Sequence, residues 1–290
     1  MSKNFHQHSL ATLLTGFALV ALPSISYATH SWGGYHWART TSPFTLKLGD
    51  NLTSADWKAK LAQASLDWNN PQTFQTTSPV TTTIVSGSAG SSCSMKTGTV
   101  QVCNKTYGKN GWLGLASINI TAGIHITQGS AKMNDTYFNM SQYNNTNERL
   151  HVMCQEIAHA FGLDHQSIDG SSQNTCMDYF ANTGVNAGST LSTKPNAHDF
   201  EQLNTIYTHF DSTTTVAASA PTTSFAQKSD NDIEETDDPN KWGQLRSQSH
   251  NGRSSTYERF NKDGSQTLTH VYWTEEVAQN CPRCDHRYDH

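Results

Sequence analysis

Residues 152–166 read VMCQEIAHAFGLDHQ. Residues four apart on an α-helix lie on the same face, so Gln155 and His159 can both approach one ion from such a helix. Gly162 predicts the end of the helix, because glycine tolerates the left-handed backbone that ends many helices. The chain can then turn back and bring His165 toward His159. The stretch therefore predicts a helix that carries a metal site at its C-terminal end.

The spacing of polar residues in this stretch is Q-E-x-x-H-x-x-G-x-x-H, from Gln155 to His165. In zinc hydrolases, the pattern H-E-x-x-H supplies two histidine ligands and a glutamate that takes a proton from the metal-bound water. Here Gln155 stands in place of the first histidine, and Glu156 keeps the position of the general base. The extended spacing resembles the metzincin zinc proteases, and more closely their matrixin branch.

The surrounding sequence adds to this resemblance over roughly residues 30–210. Metzincins place a methionine turn beneath the metal, and TCMDY puts Met177 at a plausible distance after His165. Tyr179 resembles the tyrosine that some branches place near the metal, although a structural role is the simpler interpretation. The resemblance implies an α+β fold: a metzincin-like catalytic domain with a mixed twisted sheet, an active-site helix and a C-terminal helix.

The function implied by the resemblance is that of an exported zinc-dependent endopeptidase. Gln155, His159 and His165 would hold Zn²⁺, and Glu156 would be the catalytic base. A peptide or protein substrate would add as an extended strand alongside GIHITQG, residues 123–129, with a side chain in a pocket lined by the 178–195 loop.

Gln155 leaves three interpretations open, because a neutral amide oxygen is a poorer zinc ligand than imidazole. It is a weak oxygen ligand; or a distant histidine such as His125 or His198 completes the site; or the site holds no metal. In the last case the chain would be a pseudoprotease, a non-catalytic protein that binds peptide or a cell-surface polymer. His151 is eight residues before His159, about 12 Å along the helix, so the two cannot readily share one ion.

Two further helices and several strands are predicted by periodicity. Trp57, Leu61, Ala64 and Trp68 fall on one helical face, with Thr53 or Ser54 as the N-terminal cap. Another helix is expected within 195–210, with Phe200, Leu203, Tyr207 and Phe210 on one side. The β-branched or alternating stretches predict strands; these are 44–48, 80–86, 99–103, 111–120 and 123–129.

The N-terminus is typical of a signal peptide. Residues 10–22 are almost wholly apolar, Lys3 precedes them, and Ser26 and Ala28 favour cleavage after Ala28. We therefore expect a secreted or periplasmic protein without stable membrane association, and a monomer. Removing residues 1–28 removes Lys3 and no acid, so the formal charge changes from −5 to −6. A mildly acidic chain argues against nucleic acid as a partner.

The composition divides the chain into four parts. Residues 1–28 are the signal peptide, 29–211 the metzincin-like metallopeptidase domain, and 212–240 a Thr-, Ser- and acid-rich linker that is predicted to be disordered. Residues 241–290 are a small β-rich accessory region or tail, with turns at Asn251-Gly252 and Asp263-Gly264.

The six cysteines are an even number in an exported chain, which favours disulfides. Neighbours in the sequence suggest the pairs Cys93–Cys103, Cys154–Cys176 and Cys281–Cys284 among fifteen possible pairings. If the resemblance holds, the second pair would join the floor of the site to its helix. Cys281 and Cys284 lie close to two histidines, but we expect a disulfide there in preference to a zinc site.

Overall fold

The computed structural model describes residues 1, 30–167, 170–217 and 236–280. Within these residues the chain is α+β, with one large mixed sheet and five α-helices. The strands are β1 His36–Trp37, β2 Phe44–Asn51, β3 Val80–Ser86, β4 Thr99–Lys105, β5 Trp112–Thr121, β6 His125–Asn134, β7 Gln244–Gln248, β8 Ser254–Phe260 and β9 Gln266–Trp273. The helices are α1 Ala55–Trp68, α2 Asp135–Phe138, α3 Thr146–His159, α4 Ala197–Ile206 and α5 Glu275–Gln279.

The strand order of the sheet is β3-β2-β4-β6-β5-β9-β8-β7, and β1 pairs with the start of β6. The pairs from β3 to β6 are parallel, and those from β6 through β5 to β7 are antiparallel. Parallel strands need long crossovers, and α1 makes the one between β2 and β3. The predicted strands between residues 44 and 134 are all present.

The predicted face of α1 packs into the core: Trp57, Leu61, Ala64 and Trp68 are all buried. Its N-terminal cap is Ser54, whose side chain accepts the backbone N–H of Trp57. α1 and α3 lie side by side against the sheet, and the Trp68 ring meets Phe161 edge to face at 5.5 Å.

Helix α3, which contains the predicted metal motif, begins after Asn145, whose side chain accepts the backbone N–H groups of Asn147 and Glu148. Gly162 has a φ of 97°, and a Cβ there would lie 2.2 Å from the Tyr35 carbonyl oxygen. Glycine is therefore required for the turn that leads to His165, as predicted. In α4, Phe200 and Leu203 are buried as expected, but Phe210 lies beyond the end of this helix and is exposed.

The C-terminal strands continue the same sheet. β9 pairs with β5 along its length, from Ile120–Gln266 to Trp112–Trp273. The predicted turns are present, because Gly252 and Gly264 have φ values of 70° and 83° between consecutive strands. The prediction of 123–129 as a substrate-binding edge was wrong: β6 lies between β4 and β5, and β9 covers the free side of β5. The boundaries of the four predicted parts of the chain stay a prediction.

Two of the three predicted disulfides are confirmed, Cys93–Cys103 and Cys154–Cys176. Cys281 and Cys284, the predicted signal peptide except for Met1, and most of the predicted 212–240 linker lie outside the described residues. Among the described residues, no helix has the length and apolar character to cross a membrane.

Candidate metal centre

Three histidines from separate parts of the chain converge at the end of α3. His159 lies in the last turn of the helix, His165 follows the Gly162 turn, and His270 comes from β9. One ligand nitrogen from each lies within 4.8 Å of the other two. Among the described residues, the Nε2 atoms of all three rings are buried and have no hydrogen-bond partner. Unpartnered buried nitrogens are rare, and three that converge in one place form a donor set that could hold a metal ion.

The other nitrogen of each ring is engaged. His159 Nδ1 donates to the Leu163 carbonyl oxygen at 2.9 Å, which leaves the lone pair of the neutral ring on Nε2. His165 Nδ1 lies 2.8 Å from the Tyr179 hydroxyl. His270 Nδ1 lies 3.5 Å from Glu156 Oε2. Histidines that bind metals are held in this way, with one nitrogen oriented by a polar partner and the other facing the ion.

Burial keeps the three rings neutral. It lowers the pKa of His159 from 6.5 to about 3, with His165 as a second cause. Burial likewise lowers the pKa of His165, and that of His270 falls well below its usual value for the same reason. Neutral imidazoles are the form that binds a metal ion, so the cluster is ready to bind near pH 7.

Glu156 lies beside the histidines and is fully buried. Its Oε1 has no hydrogen-bond partner in the described part of the chain, and burial raises the pKa of Glu156 well above that of an ordinary carboxyl group. Gly114 on β5 makes this position possible, because a Cβ there would lie 2.3 Å from Glu156 Oε1. A divalent ion bound to the neighbouring imidazoles would stabilise the ionised form of this carboxyl group. The donor set thus fits zinc, which prefers imidazole nitrogen and carboxylate oxygen.

Gln155 makes different contacts from those predicted. Its amide nitrogen donates to the carbonyl oxygens of Cys176 at 2.9 Å and Asp178 at 3.0 Å. The side chain therefore joins α3 to the loop that contains the buried Met177, next to the Cys154–Cys176 disulfide. The Oε1 atom of Gln155 is buried and has no hydrogen-bond partner within the described ranges. The structure groups His159 and His165 with His270, while Gln155 holds the floor of the site.

The distant histidines considered from the sequence lie elsewhere. His125 Nε2 is 3.2 Å from Asp211 Oδ1, and the His198 ring lies 4.7 Å from that of His30. His151 contacts Asn182 and the Asp178 carbonyl oxygen. His270 was missed because it lies beyond the predicted linker, in a region assigned no role. The sequence TLTHVYW, residues 267–273, could have predicted its position. A strand there places His270 and Thr269 on opposite faces of the sheet.

The centre is enclosed on all sides. Glu156, His159 and His270 have no exposed surface, and His165 is 7% exposed. The Trp32 ring stacks on His159 at 5.2 Å between centroids, and Tyr179 packs against His165 at 4.1 Å. In this arrangement a peptide cannot reach the Glu156 carboxylate.

A cleft of about 460 Å³ lies next to the enclosed centre. One wall is formed by residues of the 178–195 loop, including Tyr179 and Phe180, and the other by C-terminal residues such as Arg253 and Glu275. The 178–195 loop, which was predicted to line a pocket, lines this cleft together with residues of the C-terminal region.

Comparisons with known proteins give limited information. No protein-family model matches the chain, and no curated protein matches it. A solved structure of Myroilysin is similar over 59% of this chain and 82% of that one, with 13% identity and a TM-score of 0.32. A similarity of this degree establishes neither a family nor an activity.

Proposed function

We propose that this chain is an exported zinc-dependent endopeptidase whose centre is formed by His159, His165 and His270, with Glu156 as the catalytic base. The observation that carries the proposal is the set of three buried, unpartnered Nε2 atoms beside a buried carboxylate. A zinc ion held there would polarise a peptide carbonyl and lower the pKa of a bound water. The two disulfides agree with an oxidising compartment.

The protein groups have distinct parts in this chemistry. The three Nε2 atoms are the ligands, and the backbone and side-chain partners of the Nδ1 atoms hold the rings in place. Glu156 would take a proton at its Oε1, and burial raises the pKa of this carboxyl group, which makes it a stronger base than an exposed glutamate. The site resembles the metzincin arrangement in its helix and general base, but takes its third histidine from β9 in place of Gln155.

Peptide hydrolysis on this centre requires β9 to move. β9 covers the side of β5 on which an extended substrate strand would pair, and it carries His270 into the centre. The adjacent cleft, lined by the 178–195 loop and the C-terminal region, would then take a substrate side chain. The present arrangement would then be the closed form, and in the open form His159 and His165 would keep the ion while substrate or water takes the place of His270.

The first experiment combines metal content with cleavage of unstructured peptides by the mature chain. We expect stoichiometric zinc, cleavage that a chelator abolishes, and loss of cleavage in Glu156→Gln with zinc retained. A chain that binds no zinc at this centre with all three histidines present would refute the proposal.

A disulfide lock tests the opening of β9. Ser117 on β5 and Thr269 on β9 are register partners with hydroxyl oxygens 3.2 Å apart. The double variant Ser117→Cys and Thr269→Cys should form a disulfide that holds β9 in place. The oxidised variant should not cleave peptide, and a reductant should restore its cleavage. The parent chain, treated in the same way, is the control. Full cleavage by the oxidised variant would contradict the need for opening.

The complete enclosure favours a second candidate, a non-catalytic protein in which the metal ties the C-terminal strands to α3. Structural zinc sites are closed, whereas catalytic sites keep an open position. This candidate predicts zinc binding without cleavage of any peptide, before or after β9 is released. The same two experiments therefore separate the candidates.

A further inference from the structure

A second group of metal-binding side chains lies where three distant segments meet. His36 lies on β1, His125 begins β6, and His209 and Asp211 follow α4. His36 and His209 are 173 positions apart in the sequence, yet their Nε2 atoms are 3.2 Å apart. Asp211 Oδ1 lies 3.6 Å from each of these two nitrogens and 3.2 Å from His125 Nε2. None of these residues belongs to the centre described above.

The spacing of these atoms matches a metal coordination sphere. Ligands held about 2.0–2.1 Å from a tetrahedral zinc ion are about 3.3 Å from each other. The triangle of His36 Nε2, His209 Nε2 and Asp211 Oδ1 has edges of 3.2, 3.6 and 3.6 Å. It therefore has the size of one face of such a tetrahedron.

The ligand atoms are also oriented by outer partners. His36 Nδ1 donates to the Gly34 carbonyl oxygen at 2.9 Å, so its Nε2 lone pair points toward the carboxylate when the ring is neutral. Asp211 Oδ2 accepts the backbone N–H of Arg39 at 2.9 Å, which leaves Oδ1 for the cluster. A lone pair that faces a carboxylate is repelled by it, and a shared cation converts that repulsion into attraction.

We propose that His36, His209 and Asp211 bind a second divalent ion of the zinc class, with His125 on the same carboxylate oxygen. Two or three imidazoles with one carboxylate suit zinc, nickel, cobalt or copper, whereas calcium and magnesium take oxygen ligands. The ion would join the N-terminal strand, the start of β6 and the segment after α4. Because His36 is buried and the His209 side chain is 52% exposed, the ion can enter from solvent on the His209 side.

The test is zinc stoichiometry of the metal-stripped mature chain after zinc is added and unbound metal is removed by gel filtration. We expect two zinc ions per chain, and one in His209→Ala and in His36→Ala. His198→Ala is the matched control, because this half-buried histidine of α4 lies outside both clusters. Its zinc content should equal that of the parent chain.

Thermal unfolding with and without zinc separates a ligand from a structural residue. Because His209 is half exposed, His209→Ala without metal should unfold at the same temperature as the metal-free parent. The addition of zinc should also raise the unfolding temperature of His209→Ala by less than it raises that of the parent chain. Unchanged zinc content in both His36→Ala and His209→Ala would overturn the proposal. One zinc in the parent and none in His209→Ala would support this site and refute the first centre instead.

Discussion

The sharpest test of the first centre is removal of the His270 imidazole. A structural zinc ion contributes about 10–16 kcal/mol of binding free energy. Shared equally among three protein ligands, this is about 3–5 kcal/mol for each, or a loss of about 10²- to 10⁴-fold in zinc affinity. His270→Ala should show this loss in a competition titration against a chromogenic zinc chelator. The second cluster must first be disabled by His209→Ala, so that one class of site is titrated.

Thr269→Ala is the control for this measurement. Thr269 is the neighbour of His270 on β9, is buried, and contacts Ser117 Oγ at 3.2 Å, so its truncation disturbs the strand without removing a ligand. We expect its zinc affinity to stay within about tenfold of the parent, since one neutral hydrogen bond contributes only about 0.5–1.5 kcal/mol. Equal zinc affinity in His270→Ala and the parent would refute the assignment of His270 as a ligand.

Three other perturbations test the surroundings of the centre. Gly114→Ala should lower the free energy of unfolding by about 1–3 kcal/mol, measured by denaturant titration, because the new Cβ would lie 2.3 Å from Glu156 Oε1. Gln155→Ala should lower the free energy of unfolding by about 2–4 kcal/mol in the same titration, because two buried carbonyl oxygens lose their donor. Its zinc affinity should equal that of the parent chain. A hundredfold loss of zinc affinity would instead identify Gln155 as a ligand. The metal-free protein should become less stable as the pH falls from 6.5 toward 3. The pKa of His159 is about 3 in the folded chain and about 6.5 in the unfolded chain, so in this range the unfolded chain binds the proton more readily. His159 alone should lower the free energy of unfolding by about 1.4 kcal/mol per pH unit. A denaturant midpoint that stays constant between pH 7 and pH 5 would contradict this.

Local patterns in the sequence predicted most of the helices and strands between residues 44 and 206. The face of α1, the strands from 44 to 134 and the Gly162 turn each depend on residues close in the chain. The periodicity and backbone preferences of these residues can therefore be recognised from the sequence alone. The disulfides Cys93–Cys103 and Cys154–Cys176 also join near neighbours, and both are present.

The contacts that could not be predicted are those between distant segments. The pairing of β9 with β5 joins residues about 150 positions apart, and no local pattern specifies which strand a β-rich region will extend. His270 thus reaches the centre only through tertiary structure. The second cluster depends in the same way on His36 meeting His209 across most of the chain.

Gln155 is best understood from the position of His270. In the proposed centre, His270 supplies the imidazole that the first histidine of an H-E-x-x-H helix supplies in zinc hydrolases. With His270 present, a histidine at 155 is not needed as a ligand, and a glutamine there can instead donate to the carbonyl oxygens of Cys176 and Asp178. Imidazole offers at most one donor on the nitrogen that faces those carbonyls, whereas the amide NH₂ group offers two. In the proposed centre these two features go together: the third imidazole comes from β9, and Gln155 belongs to the floor. Restoring the helix histidine by Gln155→His should rescue zinc affinity in His270→Ala, while it should cost stability in the parent chain. Failure of that rescue, with the double variant folded, would show that the helix position no longer faces the ion.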